Sequence, residues 1–546
     1  MGAVTRAAVI ALVALVAGSG VAPLAGQGGW PPPEPPCALP PGHAKVNAAL
    51  AAAKEAAERP PEQREPLLRR AQQSLLEAIV RDRQEENPAA WYYLGRADAD
   101  LGDVAGADTA FGRVLVLAPA CAREVTIRRR ELASRLMDAG LTAWQEGRQD
   151  SATALLRRAA RLDPADPRPL TAIAGLFAAR GGDDSALAYY GRAAAAAGRD
   201  PAFARERRDA LANAWRLLVR RVQGHPAAQE IPRLRSRLDS AERALARDSA
   251  VLAKLVASAL SRRARGARLA PADQQLFTRD SASRAAGVAQ ARERRAAALR
   301  QLAADSSTLA AAFAPAVAAL QAFLAEYPDA LDAATALATL YAQSGREGDA
   351  AAVFDSAAAH APGAPPAELF ATGQRLVGQG YAHAGARALE LGLARNPYAR
   401  DALYGLALAQ YQRHDSAGLL PTAQRLLALD PLNRAALKLV AAGWDFRARR
   451  DSALAYVARA DSGLAVEITV SVFSADSSGA TLTALASNLR PVPSRAFRLA
   501  VEFLDTEGRV VATASADVPE LPPRQARELE FEVSGAGIAA WRYRAS

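Results

Sequence analysis

Trp91-x-x-Leu94-Gly95, followed by Ala107-x-x-x-Phe111 and then Pro119, is the stretch whose reading decides the fold. Trp91 and Leu94 share one face of a predicted helix, and Gly95 lets a neighbouring helix approach closely. Ala107 is small enough for a helix crossing, and Phe111 is large enough to fill the gap beside it. Pro119 ends the second helix, because its ring blocks continuation and it has no N–H to donate. The punctuation returns at Pro328, Pro362, Pro397 and Pro431, at steps of 34, 35 and 34 residues. Between Pro328 and Pro362, Leu337, Tyr341, Ala350, Phe354 and Ala357 fall at the offsets set by the first copy.

This pattern resembles the tetratricopeptide (TPR) repeat, a helix–turn–helix unit of about 34 residues. Asp98 stands where the family carries a tyrosine after the Leu-Gly pair. The resemblance extends over most of the chain. It implies a mainly α fold, a TPR-type α-solenoid wound as a right-handed superhelix, with a concave binding groove.

Composition agrees with stacked helices. Half of the 546 residues are apolar and only 6% aromatic, and Ala and Leu dominate the apolar set. The length exceeds one globular core. Net charge is +10, but residues 203–300 alone hold 22 Lys and Arg against 9 Asp and Glu, a net of +13. That region reads as a solvated helical face, with a surface for an acidic partner as the alternative.

Arg6 precedes an apolar run from Ala7 to Ala17 and then small residues to Gly26. These are the proportions of a signal peptide over residues 1–26, with retention as an N-terminal anchor the alternative. An exported protein in the periplasm or cell envelope, or a secreted one, follows. No spanning helix is expected beyond that segment, although peripheral envelope contact is compatible with the sequence. Residues 27–42 form a Pro-rich linker, expected to be extended and poorly packed. The two cysteines, Cys37 and Cys121, either pair in an oxidising compartment, closing a loop of 84 residues, or stay as separate packing thiols.

The helical repeats divide into an N-terminal array at 43–202 and a C-terminal array at 301–463. Between them, 203–300 reads as divergent repeats or longer joining helices, with a coiled-coil projection as the alternative. Asp150, Asp184, Asp415 and Asp451 each open an Asp-Ser-Ala triplet where a second helix should begin. Each is expected to cap that helix, Asp415 after a shortened first helix. From Val466 the period changes to two, and six short strands are expected over 464–546, with Asp505-Thr506-Glu507-Gly508 as a hairpin turn. This reads as a small antiparallel β-sandwich. The run from Phe497 through Val501, Phe503, Leu504, Asp505 and Gly508 to Val510 resembles FxLYD-type immunoglobulin-like domains.

No catalytic constellation emerges. The five histidines are scattered, with no i, i+4 pair, and no P-loop, His-Glu-x-x-His, Gly-x-Ser-x-Gly or dinucleotide glycine fingerprint is present. No enzyme activity, cofactor or metal is therefore expected. In TPR proteins the first helix of each repeat lines the groove. Carried over, that geometry places Tyr92, Arg96, Trp144, Phe370, Gln374, Tyr404, Tyr411 and Lys438 either at the concave face or packed between repeats. Aromatics among polar groups suit an extended peptide or a partner helix. The first reading is thus an exported, non-catalytic scaffold for a protein or peptide partner. The alternative is a binder of a polyanion or an anionic envelope surface through 203–300, with Arg262, Arg263 and Arg265 as its test positions. Export and the few aromatics there argue against nucleic acid.

Overall fold

The computed structural model describes residues 29–223, 225–264, 271–363 and 365–546. The proposed signal segment lies outside them, as does Arg265. The chain divides into two compact units, Met1–Leu217 and Leu218–Ser546.

The first unit is a stack of helical hairpins. They pair α1 (Ala44–Glu58) with α2 (Pro61–Val80), α3 (Pro88–Asp100) with α4 (Val104–Leu117), α5 (Ala122–Gln145) with α6 (Gln149–Leu162), and α7 (Arg168–Ala179) with α8 (Asp183–Ala197). Each hairpin also packs on the next, α2 on α3, α4 on α5 and α6 on α7. One rule of spacing builds them. A small residue on the first helix faces a large one 16 positions later on the second. A Cβ at Gly95 would lie 2.7 Å from the Phe111 ring, one at Gly140 would lie 2.9 Å from Leu156, and in the second unit one at Gly373 would lie 2.7 Å from Leu389. Gly95→Ala is therefore expected to overpack the α3–α4 crossing and cost about 1–3 kcal/mol. Chemical denaturation, with hydrogen exchange at α3 and α4, checks this. Gly112→Ala, where only a distant Arg129 nitrogen is near, should be silent.

α5 runs 24 residues from a 3-10 turn at Pro119–Cys121, which explains the long step between Pro119 and Pro164. Residues 29–42 are not the loose linker expected from their prolines. Trp30, Cys37 and Leu39 are buried in the core of the first hairpins, and Cys37 and Cys121 are joined by a disulfide. The prolines keep the segment extended, while its apolar side chains and the cross-link hold it down.

The second unit opens with α10 (Pro226–Ala264, 39 residues) and α11 (Pro271–Glu326, 56 residues), packed as an antiparallel hairpin; α9 (Ala204–Gln223) spans the division between units. At 1.5 Å per residue these two helices extend about 58 and 84 Å. The described residues of 203–300 thus follow the reading of longer joining helices and not that of divergent short repeats, and α11 runs past residue 300. α10 is fixed at its base. Arg235 Nη1 donates to Glu347 Oε1 at 2.8 Å and to the Gly380 carbonyl at 2.9 Å, and its guanidinium lies over the Tyr381 ring. The span Asp273–Glu326 contains a stretch long and apolar enough to cross a membrane. Its large members Leu309, Phe313, Leu320 and Phe323 are buried as one helical stripe.

Four hairpins follow: α12 (Leu331–Gln343) with α13 (Glu347–His360), α14 (Ala367–Gly378) with α15 (Ala382–Arg395), α16 (Arg400–Gln412) with α17 (Leu419–Leu429), and α18 (Arg434–Phe446) with α19 (Arg450–Ala458). First helices touch first helices in sequence, α12 to α14 to α16 to α18; α15 packs on the following first helix α16 and α17 on α18, whereas α13 packs on α15. This is a TPR-like helical repeat. Of the four aspartates expected as caps, Asp415 accepts from the Ala417 and Gly418 N–H groups, Asp184 lies in the first turn of α8, one residue past its start, and Asp150 and Asp451 sit inside the first turn without a capping bond. Their charges still suit that end of the helix. α16 keeps its full length, and it is α17 that is shortened, to 11 residues.

The chain ends in the expected sandwich. Strands β1 (Val466–Ala475), β2 (Gly479–Asn488) and β5 (Ala526–Ser534) form one antiparallel sheet, ordered β1-β2-β5. Strands β3 (Phe497–Leu504), β4 (Val510–Val518) and β6 (Ala540–Ala545) form the other, ordered β4-β3-β6. Ile468, Leu482, Phe531, Val501, Phe503 and Trp541 meet in the core. A bulge between Val470 and Val472 turns Val472 out to 51% exposure and brings Phe473 against the core, so the simple alternation of β1 ends there.

The sandwich is bolted to the repeats. Tyr543 Oη donates to Asp430 Oδ1 at 2.6 Å and accepts from the Leu432 N–H at 3.0 Å, while Arg400 Nη2 lies 2.7 Å from Asp430 Oδ2. Asn396 donates to the Ala539 carbonyl, and the Gly508 turn, at φ +83°, lies so close to Tyr398 that a Cβ would clash at 2.3 Å.

Candidate functional site

Within the first unit, α1, α2, α3, α5 and the N-terminal segment line a cleft of about 510 Å³. Trp30 forms one wall: its ring stacks on Tyr93, and its Nε1 donates to Asp100 Oδ2 at 2.9 Å. Arg64 from α2, Arg96 from α3 and Arg135 from α5 line the cleft together with the carboxylates of Glu65 and Asp100, Glu65 being paired with Arg69 at 2.7 Å, and Leu68 adds apolar surface. Arg135 reaches Asp100 at 3.5 Å, and the Arg64 Nε is held by the Arg59 carbonyl at 2.8 Å. Neither Arg64 nor Arg96 meets a carboxylate among the described residues. Arg96 donates to the Tyr92 hydroxyl at 3.4 Å, and its charge also acts on the Glu124 carboxylate beyond it. The arrangement offers unspent N–H donors beside an indole, which suits a carboxylate-bearing peptide.

Beneath it lies a buried polar network. Tyr92 Oη donates to Glu124 Oε1 at 2.5 Å, and Arg128 Nε donates to the same oxygen at 2.7 Å. Burial alone would raise the Glu124 carboxyl. The bonds from Tyr92 and Arg128, with the charges of Arg128 and Arg96, outweigh it and hold the carboxyl below its ordinary 4.5. Burial and the Glu124 bond push Tyr92 upward. A depressed folded pKa means that the carboxylate's stabilisation is present above pH 4.5 and is lost as pH falls through the folded value. Glu124→Gln should therefore remove a stability increment that is flat near neutrality and shrinks on acidification below that point. Denaturant midpoints of both proteins from pH 7 to pH 3 check it; a gap that widens in acid would contradict it.

The predicted groove residues divide. Tyr92 is fully buried, so it is packing and support, not a contact surface; its ring lies against Tyr93 and Phe111. Arg96 faces the cleft. Trp144 is half-buried against the cluster around Met137 and Leu156. Phe370 is half-buried over Gly392, where a Cβ would meet it at 2.5 Å, so it too serves the helix crossing. Gln374 is exposed, Tyr404 is half-buried beneath the Arg400 guanidinium, and Lys438 pairs with Asp461 at 3.1 Å. Tyr411 is 45% exposed and stacks on Phe446 with His414 alongside, forming a solvent-facing aromatic platform. Sequence reasoning missed Trp30, Arg64 and Arg135. A tryptophan inside a proline-rich stretch is the signal that could have found the first, because an unpacked linker has no use for an indole.

No group of three or more His, Cys, Asp or Glu side chains able to hold a metal occurs among the described residues. No protein-family model matches the chain, and no curated protein matches it. Among solved structures it is similar to the TPR domain of P58(IPK), at 14% identity, covering 68% of this chain and 92% of that one, with a TM-score of 0.16. It is similar also to the human IFIT1 dimer with m7Gppp-AAAA and to yeast Tom70. Both are 14% identical over 77% of this chain, covering 90% and 93% of theirs, with TM-scores of 0.17 and 0.18. Scores this low transfer nothing to this chain, and the repeat reading rests on its own hairpin packing.

Proposed function

We propose that this chain is an exported, non-catalytic scaffold that binds a protein or peptide partner along the first-helix faces of its repeats. The observation that carries this is the Trp30–Arg96 cleft. Arg64 and Arg96, neither in an ion pair among the described residues, line it beside the Trp30 indole and Leu68, a setting that gains by receiving an acidic side chain or a chain terminus. The Tyr411–Phe446 platform supplies a separate aromatic contact in the second unit. The Cys37–Cys121 bond supports export, since such links persist in oxidising compartments. The order β1-β2-β5 and β4-β3-β6 supports likeness of the sandwich to immunoglobulin-like, FxLYD-type domains. In this reading the sandwich gives a second contact at the envelope.

The alternative, a polyanion held by 203–300, is weakened by charges already spent inside the long hairpin. Arg284 pairs with Asp248, and Arg295 with Glu242. A photo-crosslinking residue at position 96 tests the scaffold reading in the exported protein. A discrete protein adduct is expected at 96 and none at Val116, which is exposed on a second helix. Adducts at 116 alone would remove the cleft from the function.

A further inference from the structure

Two walls of the Trp30–Arg96 cleft are joined covalently. Trp30 belongs to the N-terminal segment, and a few residues further on Cys37 is bonded to Cys121. Cys121 closes the 3-10 turn from which α5 starts, and α5 brings Arg135 to the same cleft. The cross-link therefore fixes the segment to the helix that carries another wall. Little else holds the segment. Seven of residues 30–42 are prolines, which have no N–H to donate. Among the described residues, its hydrogen bonds to the repeats run from Trp30 Nε1 to Asp100 at 2.9 Å and from Asn87 Nδ2 to the Pro41 carbonyl at 3.1 Å. Packing is interrupted as well. A cleft of about 710 Å³ is lined by Pro32, Pro33 and Pro40 of the segment and by Leu50 and Lys54 of α1. What remains is the burial of Trp30, Cys37 and Leu39, and the middle one of these anchors is the bond itself.

Asp100 makes the place of the indole matter to charge as well as to shape. It accepts from Trp30 and lies 3.5 Å from Arg135. Once the indole leaves, that carboxylate is free to satisfy Arg135, and it competes with any acidic group that a partner brings. We infer that oxidation of Cys37 and Cys121 assembles the cleft, so that the chain gains its affinity for an acidic partner only when the bond has formed. The partner in this inference rests on the scaffold reading; the assembly of the cleft does not. In the step, the two thiols give two protons and two electrons to an oxidant of the disulfide class, which departs as two thiols while the S–S bond forms. Cys37 and Cys121 are then sealed, at 2% and 1% exposure. Thiol exchange needs access to a sulfur, so the bond is a lock set at folding and not a switch reversed by thiols in solution.

The test uses the full-length protein labelled with 5-fluorotryptophan and read by fluorine NMR, with Trp30→Phe assigning the Trp30 line. In the disulfide-bonded protein that line is expected away from the position of a solvated indole, because the ring stacks on Tyr93. Cys37→Ala with Cys121→Ala should move it to the solvated position, while the lines of Trp91 and Trp144 stay in place. If those two lines move as well, the first unit has unfolded, and the spectrum is taken again in trimethylamine N-oxide, which favours the compact state. A Trp30 line that keeps its position in the folded cysteine-free chain overturns the inference. The photo-crosslinking residue at position 96 gives the second readout. Its adduct should fall about tenfold in the cysteine-free chain, the effect of losing one well-made aromatic contact. An equal yield overturns the inference too. No adduct from the bonded protein would instead strike the scaffold reading, and the fluorine spectrum would then decide by itself whether the bond assembles the cleft.

Discussion

Arg400→Ala is expected to cost the unit carrying residues 218–546 about 3–5 kcal/mol, the typical loss when one partner of a buried ion pair is removed. The reason is Asp430. Its side chain is 1% exposed at the seam where the last repeats meet the sandwich, and Arg400 bonds its Oδ2 at 2.7 and 2.8 Å. Burial already pushes the Asp430 carboxyl above its ordinary 3.8, even with Arg400 and Tyr543 bonded to it. A raised folded pKa on an acid means the ionised group costs stability at neutral pH and is relieved as pH falls through that value. Without Arg400 the carboxyl rises further, so the deficit should be largest near neutrality and shrink on acidification. Hydrogen exchange should localise it to α17, β6 and the Asn396–Ala539 contact. Arg400→Met combined with Asp430→Leu should recover most of the loss, because two apolar residues leave no stranded charge. A double variant as unstable as Arg400→Ala would show that packing, not charge, sets the cost.

The repeats were legible because their determinants are local. A small residue opposite a large one 16 positions on, and a proline every 34 or 35 residues, both survive without long-range information. The strands were legible for the same reason, since alternation is a neighbour property; where a bulge interrupts it, at Val472, the sequence pattern fails. The long hairpin was harder. Alanine-rich helices of any length share one pattern, and a helix's length is set by where its neighbours stop, which no single window contains. The groove residues were read least well. Tyr92 and Arg96 are one helical turn apart on the same helix, yet one is sealed against Glu124 and the other faces the cleft. What separates them is the placement of α5 and of the N-terminal segment, distant in sequence from both.

That segment also carries the other large expected effect. Converting Cys37 and Cys121 to alanine should lower the stability of the first unit by about 4–5 kcal/mol, from the entropy of an open loop of 84 residues. The chain-entropy argument acts on the unfolded state. A second loss acts on the folded one, because Trp30 and Leu39 are held in the first hairpins by a stretch whose prolines add few hydrogen bonds. Once the tether is cut, the indole must keep its place on Tyr93 and Asp100 by its own contacts, against the freedom of the released chain. The expected signature is therefore double: a lower denaturation midpoint for the cysteine-free chain, and proteolytic cleavage within 31–42 under conditions where α3–α6 remain protected. Trp30→Ala in the oxidised protein separates the two losses, since it keeps the cross-link and should leave 31–42 resistant. If the oxidised and reduced chains unfold at the same denaturant concentration, the cross-link contributes nothing, and the burial of Trp30 and Leu39 alone holds the segment in place.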